Sequence, residues 1–129
     1  MCGPDYDAKE SYTYKEMAQE PLILLETNSN SRRFLDEKFM ENGAELKPQI
    51  EIAAYDLLIR FASIHLGVSC VVEEFSKESL EKGLIRPMKL EPPLEARGVG
   101  CAYMRNNPLS LAAQAFLKLI REDRDTNEK

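Results

Sequence analysis

The sequence is poor in the residues that build metal centres and disulfide frameworks. It contains no tryptophan, one histidine (His65) and three cysteines, Cys2, Cys70 and Cys101, among 129 residues. An odd number of widely spaced cysteines without a CxxC pair argues against a disulfide framework or a structural zinc site. Cys70 and Cys101 lie in apolar runs and are expected to be small buried thiols. We therefore expect no metal and no cofactor, and a reducing cytoplasm is the simplest location.

Long apolar runs and an excess of positive charge are also lacking. No apolar run approaches the ~18 residues that a membrane-spanning helix needs. The first residues, 1–20, are too polar for a signal peptide. The formal net charge of -5 argues against a chain that binds nucleic acid by charge alone. We expect one globular domain with no membrane partner, and DNA contact only through a separate basic domain.

Short apolar runs alternate with helix-like stretches along the chain. Strands are predicted over 21–25, 48–53, 68–72 and, more weakly, 84–90; helices are predicted over 32–42, 55–66 and 76–82, the last of them capped by Ser76. This order predicts an α/β fold with a largely parallel sheet and right-handed crossovers. Glycine follows each helix, at Gly43, Gly67 and Gly83, where a left-handed residue often ends a helix.

The last third of the chain is predicted to hold one more strand and one more helix. Residues 97–105 alternate, with Val99, Cys101 and Tyr103 on one face, and this pattern predicts a half-buried strand. Ser110 then caps a helix with apolar side chains at helical spacing. By domain, 1–12 is expected to be a flexible lead-in, 13–121 the folded lobe and 122–129 a disordered tail.

A polar segment after the first predicted strand is the leading candidate for a ligand site. Ligands of open α/β sheets gather at the carboxyl ends of the strands. Backbone N–H groups at the start of a helix favour an anion, and Arg32 is suited to pair with a carboxylate. The alternative is an ordinary helix cap beside a solvated arginine. The candidate effector-binding residues here are Thr27, Asn28, Ser29, Asn30, Ser31 and Arg32.

Two further strand ends supply weaker candidates. Tyr55 and Asp56 open the second helix, where Tyr55 is suited to stack on a ligand and Asp56 to contact it. The alternatives are surface packing for Tyr55 and a plain cap for Asp56. Ser69, in the third strand, either faces the same cleft or is a small core residue. We find no nucleophile–base pair, phosphate-binding glycine loop or cofactor fingerprint, so we expect no enzymatic activity and no catalytic residue.

The order of three segments resembles one known family. Pro21 to Glu26, followed by Ser31-Arg32 opening a helix, is similar to the start of the second lobe of the effector-binding domain of LysR-type transcription regulators. Leu66-Gly67-Val68 resembles the family's step from helix to strand, and Asn107 to Leu117 resembles its last helix. The resemblance extends from about Tyr14 to Ile120. The resemblance rests on the order and spacing of the motifs together.

The resemblance implies a periplasmic-binding-protein-like lobe with three layers, a mixed but mostly parallel sheet and a returning C-terminal segment. It implies a sensor that binds a small molecule, often an anion or carboxylate, between two lobes and thereby changes the geometry of attached DNA-binding domains. The sequence departs from the family at Glu73 and Glu74, which stand where a proline is common. These two residues predict a more acidic mouth to the cleft.

The family's helix-turn-helix domain and most of its first lobe have no counterpart in these 129 residues. We therefore expect a fragment whose last helix exposes an apolar stripe and which forms a homo-oligomer. The residues of this stripe are Leu111, Phe116, Leu119 and Ile120. Three other classes stay open: a fragment of a periplasmic-type solute-binding protein, a small α/β enzyme and a protein-interaction module.

Overall fold

The computed structural model describes residues 1–98 and 100–127. The chain divides into two compact units, Met1–Glu95 and Ala96–Lys129. The elements of the first unit are β1 (Tyr12–Thr13), α1 (Tyr14–Met17), β2 (Leu22–Leu25), α2 (Asn30–Glu41), β3 (Ile50–Ile52), α3 (Tyr55–Ser63), β4 (Val68–Ser69), α4 (Glu73–Glu81) and β5 (Leu90–Glu91). The second unit contains α5 (Leu111–Asn127).

The first unit has two parallel sheets. The larger has the strand order β3-β2-β4, and the smaller pairs β1 with β5. In the larger sheet Leu25 lies beside Ile52, and Ile23 lies beside Ser69. Helix α2 connects β2 to β3 and α3 connects β3 to β4, so parallel strands are joined by helical crossovers. The predicted α/β fold with parallel strands is therefore confirmed, with the strands divided between two sheets.

Helix α2 covers one face of the larger sheet. Leu22 and Leu24 point to the same face, because side chains alternate along a strand. Both belong to one buried cluster with Leu35 and Phe39 of α2. Full burial of one such side chain contributes about 1.5–3 kcal/mol, so this face supplies much of the stability of the first unit.

Helix α3 covers the opposite face. Ile23 is buried between Leu22 and Leu24 and points the other way. Its neighbour Ser69 donates from its hydroxyl to the carbonyl oxygen of Leu58 in α3, at 2.9 Å. Leu58 and Ala62 are fully buried, so α2, the sheet and α3 form three layers.

The helix–strand step at Gly67 depends on the lack of a side chain. A Cβ atom there would lie 2.1 Å from the carbonyl oxygen of Pro21. That carbonyl accepts a hydrogen bond from the N–H of Val68 at 2.8 Å. Helix α3 ends at Ser63, earlier than predicted, and His65 takes the left-handed conformation with φ 65°. Gly67 therefore permits β4 to approach β2, and His65 has the left-handed conformation expected of a glycine.

The expectation of a flexible lead-in over residues 1–12 does not agree with the structure. Cys2 is fully buried, and its N–H donates to the carbonyl oxygen of Arg86 at 3.0 Å. The N–H of Arg86 returns a bond to the carbonyl oxygen of Cys2 at 2.8 Å, which forms an antiparallel bridge. Tyr12 is buried in β1. The segment is held by partners about eighty residues away, which local polarity does not reveal.

Two more predictions in the first unit need correction. Helix α4 begins at Glu73, so Ser76 is not its cap but donates to the carbonyl oxygen of Glu73 at 2.9 Å. The strand expected over 84–90 is reduced to β5 and the single bridge at Arg86. Gly83 does follow α4 with φ 66°, as predicted.

In the second unit the strand predicted over residues 97–105 is not formed by the described residues of that range. Cys101 and Tyr103 are exposed, and Val99 lies outside the described residues. A strand needs a neighbour for its backbone hydrogen bonds, and none is paired with this segment where the structure describes it. Ser110 does cap α5, because its hydroxyl oxygen accepts from the N–H of Ala113 at 3.2 Å. Of the disordered tail expected over 122–129, residues 122–127 continue α5, and residues 128 and 129 lie outside the described residues.

The cysteines differ from the expectation as well. Cys70 and Cys101 are exposed, whereas Cys2 is buried. Burial raises the pKa of the Cys2 thiol, so this group is a small apolar core residue at neutral pH. The apolar runs around Cys70 and Cys101 were therefore misleading, because neither segment is packed on all sides.

Candidate functional site

The turns after β2 and β3 lie at the same edge of the larger sheet. The strands are parallel neighbours, and Leu25 pairs with Ile52 at their last residues. The N–H of Glu26 donates to the carbonyl oxygen of Ile52 at 3.1 Å, which continues the pairing beyond β2. We call residues 26–32 and 53–56 the carboxyl edge. The structure thus places the two predicted turns side by side.

Helix α2 begins two residues earlier than predicted. Its cap is Ser29, whose hydroxyl oxygen accepts from the N–H of Arg32 at 3.1 Å. Asn30 and Ser31 form the first turn, and the side chain of Asn30 accepts a bond from Arg33. Thr27 and Asn28 are exposed in the turn before the cap. The Ser29 hydroxyl therefore has a structural partner, while the turn itself faces solvent.

Arg32 does not point into solvent. Its side chain is 5% exposed, and its Nη1 donates to the carbonyl oxygen of Leu25 at 2.9 Å. Its Nε donates to Asp36 Oδ1 at 2.9 Å, and Nη1 lies 3.6 Å from Glu51 Oε2. Two carboxylates already neutralise the guanidinium. Arg32 is therefore a positioning residue for the β2–α2 turn, and the bidentate role predicted for it is not available in this arrangement.

Tyr55 connects the β3–α3 turn to the segment after β4. Its hydroxyl accepts a hydrogen bond from the N–H of Val72 and lies 3.5 Å from the Val72 carbonyl oxygen. Its ring meets that of Phe75 edge to face, with centroids 5.6 Å apart. Phe75 is 70% exposed. Tyr55 thus holds two adjacent turns together, and Phe75 adds an exposed aromatic ring that the sequence patterns did not identify.

Asp56 lies in the first turn of α3 and is exposed. The residue at the capping position is Ala54, which provides no side-chain hydrogen bond to the helix. Asp56 is therefore not the cap that the alternative interpretation proposed. Its charge stabilises the positive end of the helix dipole and remains accessible to solvent.

Ser69 is separated from the carboxyl edge. It is buried in β4 beside Ile23, in the middle of β2, and its hydroxyl bonds to Leu58 on the α3 face. The structure therefore favours the core interpretation of Ser69, because no part of its side chain faces the turn at Asn28 or at Tyr55.

Exposed carboxylates lie in β3 and after the three parallel strands of the larger sheet. They comprise Glu26, Glu51, Asp56, Glu73 and Glu74. Within residues 26–32 and 53–56 the sequence has one cation, the buried Arg32. Glu73 and Glu74, which are expected to make the mouth of the cleft acidic, are exposed in the first turn of α4.

A cavity of about 520 Å³ lies elsewhere, before β3 rather than after it. Its lining is polar and includes Lys15, Glu20, Gly43 and Lys47. Glu20 accepts a hydrogen bond from the Tyr6 hydroxyl at 2.6 Å. The charges of this cavity are mixed, and it lies at the opposite end of β3 from the carboxyl edge, so it does not include the predicted site.

Over 1–98 and 100–127, no three His, Cys, Asp or Glu side chains are grouped to hold a metal ion. Within the same residues, no helix combines the length and apolar character that crossing a bilayer requires.

The model of the LysR substrate binding domain matches residues 1–125. The chain therefore belongs to this family, whose fold is periplasmic-binding-protein-like, in agreement with the α/β first unit. Domains of this family are ligand-binding domains of LysR-type transcription regulators, a regulatory and not a catalytic class. The match favours a regulator over the solute-binding protein and the enzyme considered above. A comparison with curated proteins finds no significant match.

Proposed function

We propose that the chain is the ligand-sensing domain of its regulator and that the carboxyl edge binds the small-molecule effector. The observation that carries this proposal is the bond from the N–H of Glu26 to the carbonyl oxygen of Ile52, 3.1 Å long. It brings the turns before α2 and α3 to one edge of the sheet. Ligands of open α/β sheets bind at that edge.

The direct contacts proposed here come from the exposed part of both turns. Thr27 and Asn28 supply polar side chains before α2, and Ser31 lies in its first turn. Tyr55 and Asp56 supply the facing side, next to the ring of Phe75. Ser29, Asn30 and Arg32 hold the turn in place, and Ser69 is withdrawn from the contact set.

We propose an anion, such as a carboxylate, as the effector. Helix α3 starts without a side-chain cap, so its first N–H groups and its dipole favour negative charge. The family resemblance points to the same chemistry. Ser31 and Asn28 add neutral hydrogen-bond donors.

A cationic effector is the second candidate, and the exposed carboxylates of Asp56, Glu73 and Glu74 favour it. A positive group over the rings of Tyr55 and Phe75 would add a cation–π interaction of about 0.5–2 kcal/mol. The two candidates predict opposite responses to neutralising Asp56.

Signalling requires no bond to be made or broken. The effector binds between this lobe and a second lobe, and it favours whichever lobe arrangement it binds more tightly. A coupling of about 1–3 kcal/mol between the effector and the DNA-bound arrangement is typical of such switches. The chain is accordingly proposed not to be an enzyme.

Three partner and location proposals accompany this function. The exposed side chains of Leu111, Phe116 and Leu119 on α5 support self-association as a homo-oligomer. DNA is contacted through a helix-turn-helix domain and not through residues 1–129, because a net charge of -5 disfavours phosphate contacts. The regulator is proposed to act in the cytoplasm.

The function is tested by thermal shift with succinate and putrescine, which share a four-carbon chain and differ in the sign of their charges. A bound ligand at 100 times its Kd stabilises the fold by about 2.7 kcal/mol. We expect stabilisation by succinate that Asn28→Ala weakens. Asn106→Ala, an exposed asparagine of the second unit, is the matched control and should change nothing. Equal thermal shifts with succinate for Asn28→Ala and Asn106→Ala would contradict the proposed site.

A further inference from the structure

A cavity of about 90 Å³ lies on the α2 face of the larger sheet. Leu22 and Leu24 form its floor, and Leu35 and Phe39 of α2 line another side. Leu94 comes from the segment after β5. We call this space the apolar cavity. It is distinct from the carboxyl edge in its lining, because it contains no residue of 26–32 or 53–56.

Most of the lining is hydrocarbon and thioether, and its polar groups include the N-terminal ammonium of Met1, which donates to the carbonyl oxygen of Ser69 at 2.9 Å. Ten of the twelve lining residues have apolar side chains, the other two being Ser69 and Cys70. The Ser69 hydroxyl already donates to Leu58. A buried water needs two to four polar partners, and the Met1 ammonium and the Ser69 hydroxyl are already bonded to carbonyl oxygens of the protein, so water gains little by entering.

The size limits the occupant. The volume is about three times the ~30 Å³ that one water occupies in the liquid, and it is below the ~150 Å³ of apolar cavities that accept benzene. A xenon atom or a short branched hydrocarbon matches this space, whereas an aromatic ring exceeds it.

The walls are able to adjust to such an occupant. Met1, Met17 and Met88 line the cavity, and the unbranched thioether side chain of methionine repacks more easily than a branched one. Leu94 is only partly buried, so the side near it offers an entry that needs no unfolding of the sheet.

We propose that the apolar cavity is a second binding site, which takes a compact apolar molecule or the end of a branched alkyl chain. Dispersion contacts with the apolar lining side chains provide the affinity. This site does not depend on the proposed effector site, since the two share no residue and need opposite ligand chemistry.

The test uses xenon as the probe, with the full chain carrying ¹³C-labelled methyl groups. Under xenon pressure we expect saturable shifts of the Leu22, Leu24 and Met88 methyl signals and unchanged signals from Leu84, which is exposed and outside the lining. Benzene should produce no saturable shift. Non-saturable or absent shifts at the lining methyl groups would overturn the proposal.

Leu94→Phe tests the location, because a larger side chain at this partly exposed position fills the cavity without burying a new polar group. We expect it to abolish the xenon shifts. Leu84→Phe makes the same change outside the cavity and should preserve them. Leu94→Ala enlarges the space and should admit benzene. Xenon shifts that persist in Leu94→Phe as in Leu84→Phe would place the binding elsewhere and refute the assignment.

Discussion

Arg32 and Leu25 are joined across the β2–α2 turn by a hydrogen bond of 2.9 Å from Nη1 of the arginine to the leucine carbonyl oxygen. The bond fixes the first turn of α2 against the last residue of β2. Asp36 and Glu51 surround the same guanidinium, so one side chain connects α2 with strands β2 and β3. The shape of the carboxyl edge therefore depends on a residue that a ligand need not touch.

Removal of the Arg32 side chain should destabilise the first unit. Hydrogen bonds to charged groups contribute about 1.5–3 kcal/mol each, and partial exposure of Asp36 and Glu51 reduces that figure. We expect Arg32→Ala to lower the free energy of unfolding in urea by about 1–3 kcal/mol. Arg32→Lys should retain only part of this free energy of unfolding, because the lysine ammonium lacks the planar, forked N–H donors of the guanidinium.

Arg33→Ala is the matched control for this prediction, since Arg33 is exposed and pairs only with Asn30 among the contacts described for it. A surface change of this kind stays within about 0.5 kcal/mol. Equal losses for Arg32→Ala and Arg33→Ala would show that the buried bond to Leu25 contributes little.

The Tyr55 hydroxyl should hold the segment after β4 in place. Tyr55→Phe removes the acceptor of the Val72 N–H and keeps the ring against Phe75. We expect the free energy of unfolding to fall by about 1 kcal/mol and the Val72 amide to exchange its hydrogen faster. Tyr103→Phe, at an exposed tyrosine, should leave both quantities unchanged. Unaltered Val72 exchange in Tyr55→Phe would contradict the connection between the two turns.

Gly67 should be intolerant of any side chain. The Cβ of Gly67→Ala would lie 2.1 Å from the Pro21 carbonyl oxygen, which is backbone and cannot rotate away. We expect the free energy of unfolding, measured with denaturant, to fall by about 3 kcal/mol or more. Gly100→Ala introduces the same methyl group where nothing lies within 4 Å and should be nearly neutral. Comparable stability of the two variants would refute the close approach of β4 to β2.

Local sequence patterns predicted the helices and strands better than the long-range contacts between segments. The alternation of apolar runs and helical stretches located β2, α2, β3, α3 and β4, and Gly43 has the left-handed φ of 70° expected after α2. The bridge between Cys2 and Arg86 was missed, because pairing across 84 residues leaves no local signal. The alternation of apolar and polar residues over 97–105 predicted a strand. A strand also needs a neighbouring strand for its backbone hydrogen bonds, and the alternation says nothing about such a neighbour.

The candidate site was predicted by position and not by role. The sequence indicates parallel strands and so places the turns before α2 and α3 at one edge of a sheet, whereas the strand order that makes them neighbours comes from the structure. The burial of Arg32 depends on Glu51, which reaches it only after β3 has paired with β2. Phe75 belongs to no motif that the sequence analysis used. The available signal was an aromatic residue directly after Glu73 and Glu74, and only its exposure in the structure gives that signal a meaning.

The capping box of α1 should be pH-dependent. Glu16 accepts from the Thr13 N–H at 2.9 Å, and this bond, with the Lys9 side chain, lowers the pKa of Glu16 from 4.5 to about 2. A lowered folded pKa means that the contribution to stability is complete above the unfolded value of 4.5 and is lost as the pH falls towards 2.

NMR titration of the Glu16 carboxyl carbon measures that pKa directly. Glu16→Gln keeps an oxygen acceptor for Thr13 but removes the titration, so its stability should vary less between neutral and acidic pH than that of the native chain. Glu10→Gln, at an exposed carboxylate nearby, is the control. A Glu16 pKa near 4.5 would contradict the capping box.

Neutralising Asp56 distinguishes the two effector candidates. Asp56→Asn removes a negative charge from the first turn of α3 while preserving size. We expect tighter binding of succinate, by up to about tenfold for a change near 1.4 kcal/mol. Glu45→Gln, before β3, is the charge-matched control. Weaker binding of putrescine in Asp56→Asn, with no gain for succinate, would favour the cationic effector instead.

The most direct test of the account is an NMR titration of the ¹⁵N-labelled chain with succinate, following the backbone amides. The account predicts saturable shifts concentrated at residues 26–32 and 53–56, with little change around Lys15 and Lys47. Shifts confined to the surroundings of Lys15 and Lys47, or amides of the carboxyl edge that stay unmoved up to millimolar succinate, would contradict it.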